Sequence, residues 1–167
     1  MKKVLLSVFV VLMMLSCGEK MSVEKINELE SKVFAKDAVL TAENVIQLVD
    51  AYVLFAEQNP NDQQTPDFLF KALDVAVGVN AEGPQKAIDI ANVLIEKYPD
   101  FEMTPMAMFV KGFVYENMIG DLRNAEMTYR QFIEKYPNSP MVEDVKATLE
   151  NLGLTPEELI RKFEEAN

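Results

Sequence analysis

The sequence predicts an all-α fold: an antiparallel helix-pair solenoid of about eight helices. Three observations carry this. Beyond residue 21, apolar residues recur at i, i+3/i+4 and i+7 almost to the end, the spacing of amphipathic helices, and stretches alternating with a period of two are few. A stop motif returns at near-constant spacing. Ile95-Glu96-Lys97-Tyr98-Pro99-Asp100 reappears 38 residues later as Ile133-Glu134-Lys135-Tyr136-Pro137-Asn138, and a weaker copy, Phe55-Ala56-Glu57-Gln58-Asn59-Pro60-Asn61, lies 39 residues earlier. A start motif, a hydroxyl residue followed by proline, occurs at Thr65-Pro66, Thr104-Pro105, Ser139-Pro140 and Thr155-Pro156. Repetition at a fixed period of roughly 20–50 residues marks an array of stacked units.

Taken in chain order, the first element is a processing segment. Lys2 and Lys3 precede Val4 to Leu15, a run in which only Ser7 is polar; Ser16 and Cys17 follow. The run is shorter than the roughly 20 residues that span a bilayer as a helix and has the pattern of a secretory signal peptide. Residues 1–16 are therefore assigned as signal peptide and 17–21 as a tether. Residues 18–21 are expected to be mobile, having few apolar contacts to hold them. Residues 22–167 form the solenoid, with helices expected over 22–36, 42–58, 66–78, 84–98, 105–119, 122–136, 140–152 and 156–166.

The stops follow from proline, which pushes the preceding residue out of the α region. At the starts, the hydroxyl is expected at the N-cap and proline at the first helical position, where a missing N–H costs nothing. Glu158, three residues after Thr155, completes a capping box, and Asp121 is expected to cap the helix after it. Ala87, Ile88, Ala91, Leu94, Ile95 and Tyr98 form one apolar stripe; Leu122, Ala125, Tyr129, Phe132, Ile133 and Tyr136 form another. Short connections such as 119–121 make consecutive helices antiparallel neighbours, giving three pairs and a closing pair.

Two resemblances sharpen this reading. Met14-Leu15-Ser16-Cys17 resembles a bacterial lipobox, which implies cleavage before Cys17, lipidation of that cysteine, and a mature chain two positive charges poorer than the net −11 of the whole. Gly18 in place of Asp implies the outer membrane. Met108-Phe109-Val110-Lys111-Gly112-Phe113-Val114-Tyr115, Gly120-Asp121, Ala125, Tyr129 and Tyr136-Pro137 resemble a tetratricopeptide repeat, with Gly112 and Ala125 at its small positions, Tyr115 and Tyr129 at its aromatic ones and Pro137 at its terminal proline. The likeness is good over 104–138, fair over 66–99 and weak over 22–60, and the period exceeds the family's 34 residues. Together these features resemble the tetratricopeptide lipoproteins of Gram-negative envelopes, the BamD-like and YbgF-like proteins. That implies a lipid-anchored protein facing the periplasm, an adaptor or scaffold for other envelope proteins, with outer-membrane protein assembly as one such role. A self-associating structural lipoprotein, joined through helix 156–166, is the alternative.

Composition removes several chemistries. There is no His and a single Cys, so His- or Cys-ligated zinc sites and Ser–His–Asp or Cys–His nucleophiles are excluded. With 16 basic and 27 acidic residues, nucleic acid is not an expected partner, because phosphate binding draws on Lys and Arg. No glycine-rich phosphate loop occurs. Asn59-Pro60-Asn61-Asp62 lacks the spacing of a calcium loop, and Glu157-Glu158 and Glu164-Glu165 read as a helix cap and solvated faces. No catalytic residue, metal site, cofactor or small-molecule substrate is expected.

What remains is a binding surface. Glycine inside a helix costs about 1 kcal/mol against alanine, so Gly112 is expected to mark a close approach to Ala125, with Tyr129 and Pro137 completing the repeat's packing. Met106, Phe109, Phe113 and Asn117 then fall on the inner side of the curve. They form a candidate partner-binding face rimmed by Glu102 and Glu116 and suited to an apolar segment with basic flanks. Met103, Met106 and Met108 cluster at the start of that helix and read as adaptable surface or as core filler.

Overall fold

The computed structural model describes residues 20–38, 41–79 and 82–165. Among them are eight helices and no strand: α1 Val23–Phe34, α2 Ala42–Gln58, α3 Thr65–Val77, α4 Gly83–Lys97, α5 Thr104–Phe113, α6 Leu122–Lys135, α7 Val142–Glu150 and α8 Pro156–Glu165. Helix α5 runs on into a π-helical turn, Val114–Ile119, where a continuous α-helix is expected. Gly120 closes that turn in the left-handed region (φ 76°), where glycine carries no Cβ penalty, and the Asp121 amide donates to Tyr115 O at 2.8 Å. Each helix from α1 to α6 packs against the next, as an antiparallel helix-pair solenoid requires. The signal-peptide assignment and Cys17 lie outside the described residues.

The linkers after α2, α4 and α6 are three copies of one turn. The helices end at Asn59 (φ −132°, ψ 56°), Tyr98 (−129°, 53°) and Tyr136 (−125°, 55°), each just before its proline. Three residues on, the amides of Asp62, Phe101 and Ser139 donate to the carbonyls of Asn59, Tyr98 and Tyr136. Three further on, Thr65, Thr104 and Val142 donate to Asp62, Phe101 and Ser139.

This geometry corrects the expected caps. Thr65 and Thr104 are not N-caps but the first helical residues, and both are fully buried. Their hydroxyls reach backwards, donating to Asn59 O at 2.6 Å and Tyr98 O at 2.7 Å. Each threonine thus latches the start of one helix to the end of the previous one. Ser139-Pro140 lies in the turn ahead of α7, and the latch position there is Val142. Asp121 and Thr155 do cap. Asn124 N donates to Asp121 Oδ1 at 3.0 Å, Glu158 N to Thr155 Oγ1 at 3.2 Å, and Thr155 N to Glu158 Oε2 at 2.9 Å, the reciprocal box.

The core has two parts. The larger spans α1 to α5 and includes Ile26, Leu48, Tyr52, Leu69, Leu73, Ala91 and Leu94; the smaller joins α5, α6 and α7 through Met108, Ala125, Tyr129, Phe132, Val142 and Val145. Burying a large apolar side chain contributes about 1.5–3 kcal/mol, so these stripes hold the stack. Leu122, expected in the α6 stripe, is exposed. Met21, expected to be mobile, instead packs on the larger core, and its amide donates to Gln58 Oε1 at 2.8 Å; residues 18 and 19 lie outside the described residues.

The closing pair does not form. Helix α7 turns Val142 and Val145 into the core against α6 and leaves Glu143, Asp144, Lys146 and Ala147 exposed, so it has no second apolar stripe to receive α8. Helix α8 buries no residue. Lys162 ties it to the end of α7, donating to Asn151 Oδ1 at 2.7 Å and Glu150 O at 3.3 Å.

Candidate protein-binding groove

Gly112 is buried, and the group beneath it is the ring of Tyr129 rather than Ala125. A Cβ on Gly112 would lie 2.7 Å from Tyr129 Cδ1 and 2.9 Å from Cζ. Phe109 packs on the same ring at 5.9 Å between centroids, and the Tyr129 hydroxyl donates to Glu116 Oε2 at 2.9 Å. Glu116 is thereby drawn to the α6 side and is not a rim residue of the expected face. Burial, with the neighbouring Glu116 carboxylate, pushes the Tyr129 phenol far above its ordinary value.

The expected binding residues separate into three places. Phe109 and Phe113 line a groove between α5 and α3, with Val110 from α5 and Phe70, Leu73, Asp74 and Val77 from α3; its volume is about 250 Å³. Phe113 is 40% exposed there. Met106 lies in a separate cavity of about 540 Å³, with Glu102, Met103, Tyr136 and Met141 among its walls. Asn117 lines neither and donates its amide to Phe113 O at 3.2 Å.

The α3 half of the groove is absent from the sequence reading, although a signal for it exists. The threonine latches set α3 and α5 in register at an offset of 39, and at that offset Phe70 is the counterpart of Phe109 and Asp74 that of Phe113. The position matching Gly112 is Leu73, which is buried. The α4 residue aligned with Tyr129 by the stop motif is Ala91. Large and small have exchanged sides between the two helix pairs.

The groove continues past Asp74 into a cavity of about 280 Å³ lined by Glu30, Phe34, Tyr52, Lys71, Asp74 and Val75. Helices α1, α3 and α5 thus share one surface. On it, Lys71 Nζ lies 2.8 Å from Glu30 Oε1 and above the Phe68 ring at 5.4 Å. Tyr52 donates to the same Glu30 oxygen at 2.6 Å. Burial works against the Glu30 carboxylate, but the hydrogen bonds from Lys71 and Tyr52 outweigh it and hold its pKa below the ordinary carboxylate value. Asp74 makes no hydrogen bond or ion pair among the described residues.

Residues 106–139 match a family model described as a tetratricopeptide repeat. Over this stretch the chain is similar to a tetratricopeptide repeat. It spans most of α5, the π turn, α6 and part of the third linker, and so contains the α5 wall of the groove. No match to the chain was found among curated proteins. Among the described residues, no three acidic or thiol side chains are grouped to hold a metal ion, and no helix is long and apolar enough to cross a membrane.

Proposed function

We propose that this protein is a non-catalytic interaction module of the bacterial envelope, held at the outer membrane by lipid on Cys17 and facing the periplasm. Its α3/α5 groove receives a segment of another envelope protein. The observation that carries the reading is an open apolar groove, with Phe113 on its wall, built partly from the stretch that matches a tetratricopeptide repeat. Stacked helix pairs of this kind present continuous surfaces for segments of other proteins. The lipobox-like Met14-Leu15-Ser16-Cys17 supports the anchor, and its combination with the repeat supports a role like that of the BamD-type assembly lipoproteins.

Crosslinking in intact cells followed by purification tests the adaptor reading. A heterologous product lost in Phe113→Ser supports it; no Phe113-dependent product refutes it. Fractionation of Cys17→Ser tests the anchor, which is refuted if that variant is still processed to the same length and stays membrane-bound. The second reading, self-association, is favoured by α8, where Ile160 and Phe163 are 60% and 58% exposed. A ladder of multiples that disappears on removing 156–167 would establish it instead.

A further inference from the structure

The groove has a charge as well as a shape, and the charge selects its occupant. Asp74 stands on the boundary of two adjoining cavities, so an occupant of either meets its carboxylate. The nearest cation along the helix is Lys71, one turn earlier, and it is already committed to Glu30 at 2.8 Å. In the cavity between α3 and α5 the other walls are apolar: Phe70, Leu73 and Val77 from α3, Phe109, Val110 and Phe113 from α5. Asp74 is exposed and makes no ion pair among the described residues, so its carboxylate is open to a cation, and the aromatic faces add to the attraction for one. The whole chain carries −11, which repels acidic segments and a second copy of itself alike.

We infer that the partner segment is apolar and basic, placing a large apolar side chain between Phe70 and Phe113 and a Lys or Arg on Asp74. This rests on the adaptor reading of the same groove and adds the chemistry of what fills it. Self-pairing through α8 fits less well. Its apolar residues Leu159, Ile160 and Phe163 are bordered by four glutamates against two cations in a ten-residue helix, and one of those cations, Lys162, is held by Asn151.

The test is a random 12-residue peptide library displayed on phage and selected against the full-length protein in mild detergent. Peptides that lose binding to Phe113→Ser are groove ligands. They are expected to carry Lys or Arg within one turn of a large apolar residue, and to weaken tenfold or more against Asp74→Asn. Against Asp74→Lys, selection should shift to acidic peptides. Asp74 is exposed, so both variants should keep the wild-type melting curve. Groove ligands indifferent to Asp74→Asn would overturn this inference and leave the adaptor reading standing. The absence of any Phe113-sensitive ligand would overturn both. Phe113-dependent dimers in sedimentation that exclude the selected peptides would assign the groove to a second copy and overturn the inference as well.

Discussion

At the scale of single residues, the contact under Gly112 decides how closely α5 and α6 approach. The Tyr129 ring is fully buried and tied at its hydroxyl to Glu116, so it has little room to retreat. Gly112→Ala should therefore lose stability despite better helix propensity. The gain of about 1 kcal/mol offsets only part of an overpacking cost of about 1–3 kcal/mol, and Gly112→Leu should cost more. Urea unfolding measures this; unchanged stability would show that the helices separate freely. Two further tyrosines form a matched pair. Tyr98 donates to Pro60 O at 2.9 Å, across to the preceding linker. Its counterpart Tyr136 has a buried hydroxyl with no partner. A net hydrogen bond contributes about 0.5–1.5 kcal/mol, whereas an unmade one at a buried group is a penalty. Tyr98→Phe should thus destabilise by about that amount, and Tyr136→Phe should leave the melting temperature unchanged or raise it. Equal losses from both would contradict the geometry.

At the scale of elements, the stops were legible and the starts only in part: Asp121 and Thr155 cap as expected, while Thr65 and Thr104 do not. Proline acts on the residue directly before it, so Asn59, Tyr98 and Tyr136 end their helices where a local rule puts them. Thr-Pro obeys a local rule as well, and Thr155-Pro156 follows it, but at Thr65 and Thr104 the packing overrides it. Gln64 and Met103, one residue earlier, hold the N-cap places, and the threonine hydroxyls satisfy carbonyls six residues back. Half of the groove was legible for the same reason. Helical spacing places Phe109 and Phe113 on one wall, but that wall meets Phe70, Asp74 and Val77 only through the packing of separate repeats. Helix α8 was legible as a helix and not as a detached one, because its partner's missing apolar stripe is a property of α7. Two predictions belong here. Thr104→Val, which keeps the shape and removes the latch, should cost about 0.5–1.5 kcal/mol, with Thr104→Ser restoring part of it; a neutral Val would show that the hydroxyl is dispensable. Removing 156–167 should shift stability by no more than about 0.5 kcal/mol, the range of surface changes, since α8 buries nothing. A large loss would place α8 in the folded core.

At the scale of the whole molecule, all five tyrosines of the chain are held above their ordinary pKa. Burial is the leading cause in each. In Tyr52 and Tyr129 a hydrogen-bonded carboxylate adds to it, Glu30 joining α2 to α1 and Glu116 joining α6 to the π turn. The same device therefore fastens a helix to its predecessor towards both ends of the stack. The sign of the pH effect follows. A phenol whose folded pKa is raised keeps its proton in the native state while the unfolded chain releases it, so the unfolded state binds fewer protons above about pH 10 and stability falls as pH rises past that point. Below about pH 10 both states keep the proton and the contribution is constant. Urea midpoints measured at pH 9 and pH 11 should drop steeply for the wild-type protein. The drop should be shallower for Tyr52→Phe with Tyr129→Phe, although that variant starts lower at pH 9 for want of two hydrogen bonds. Some slope should persist in it, because Tyr98, Tyr115 and Tyr136 still titrate. An equally steep fall in the double variant would mean that the two Tyr–Glu contacts are absent in solution and that the alkaline sensitivity arises elsewhere.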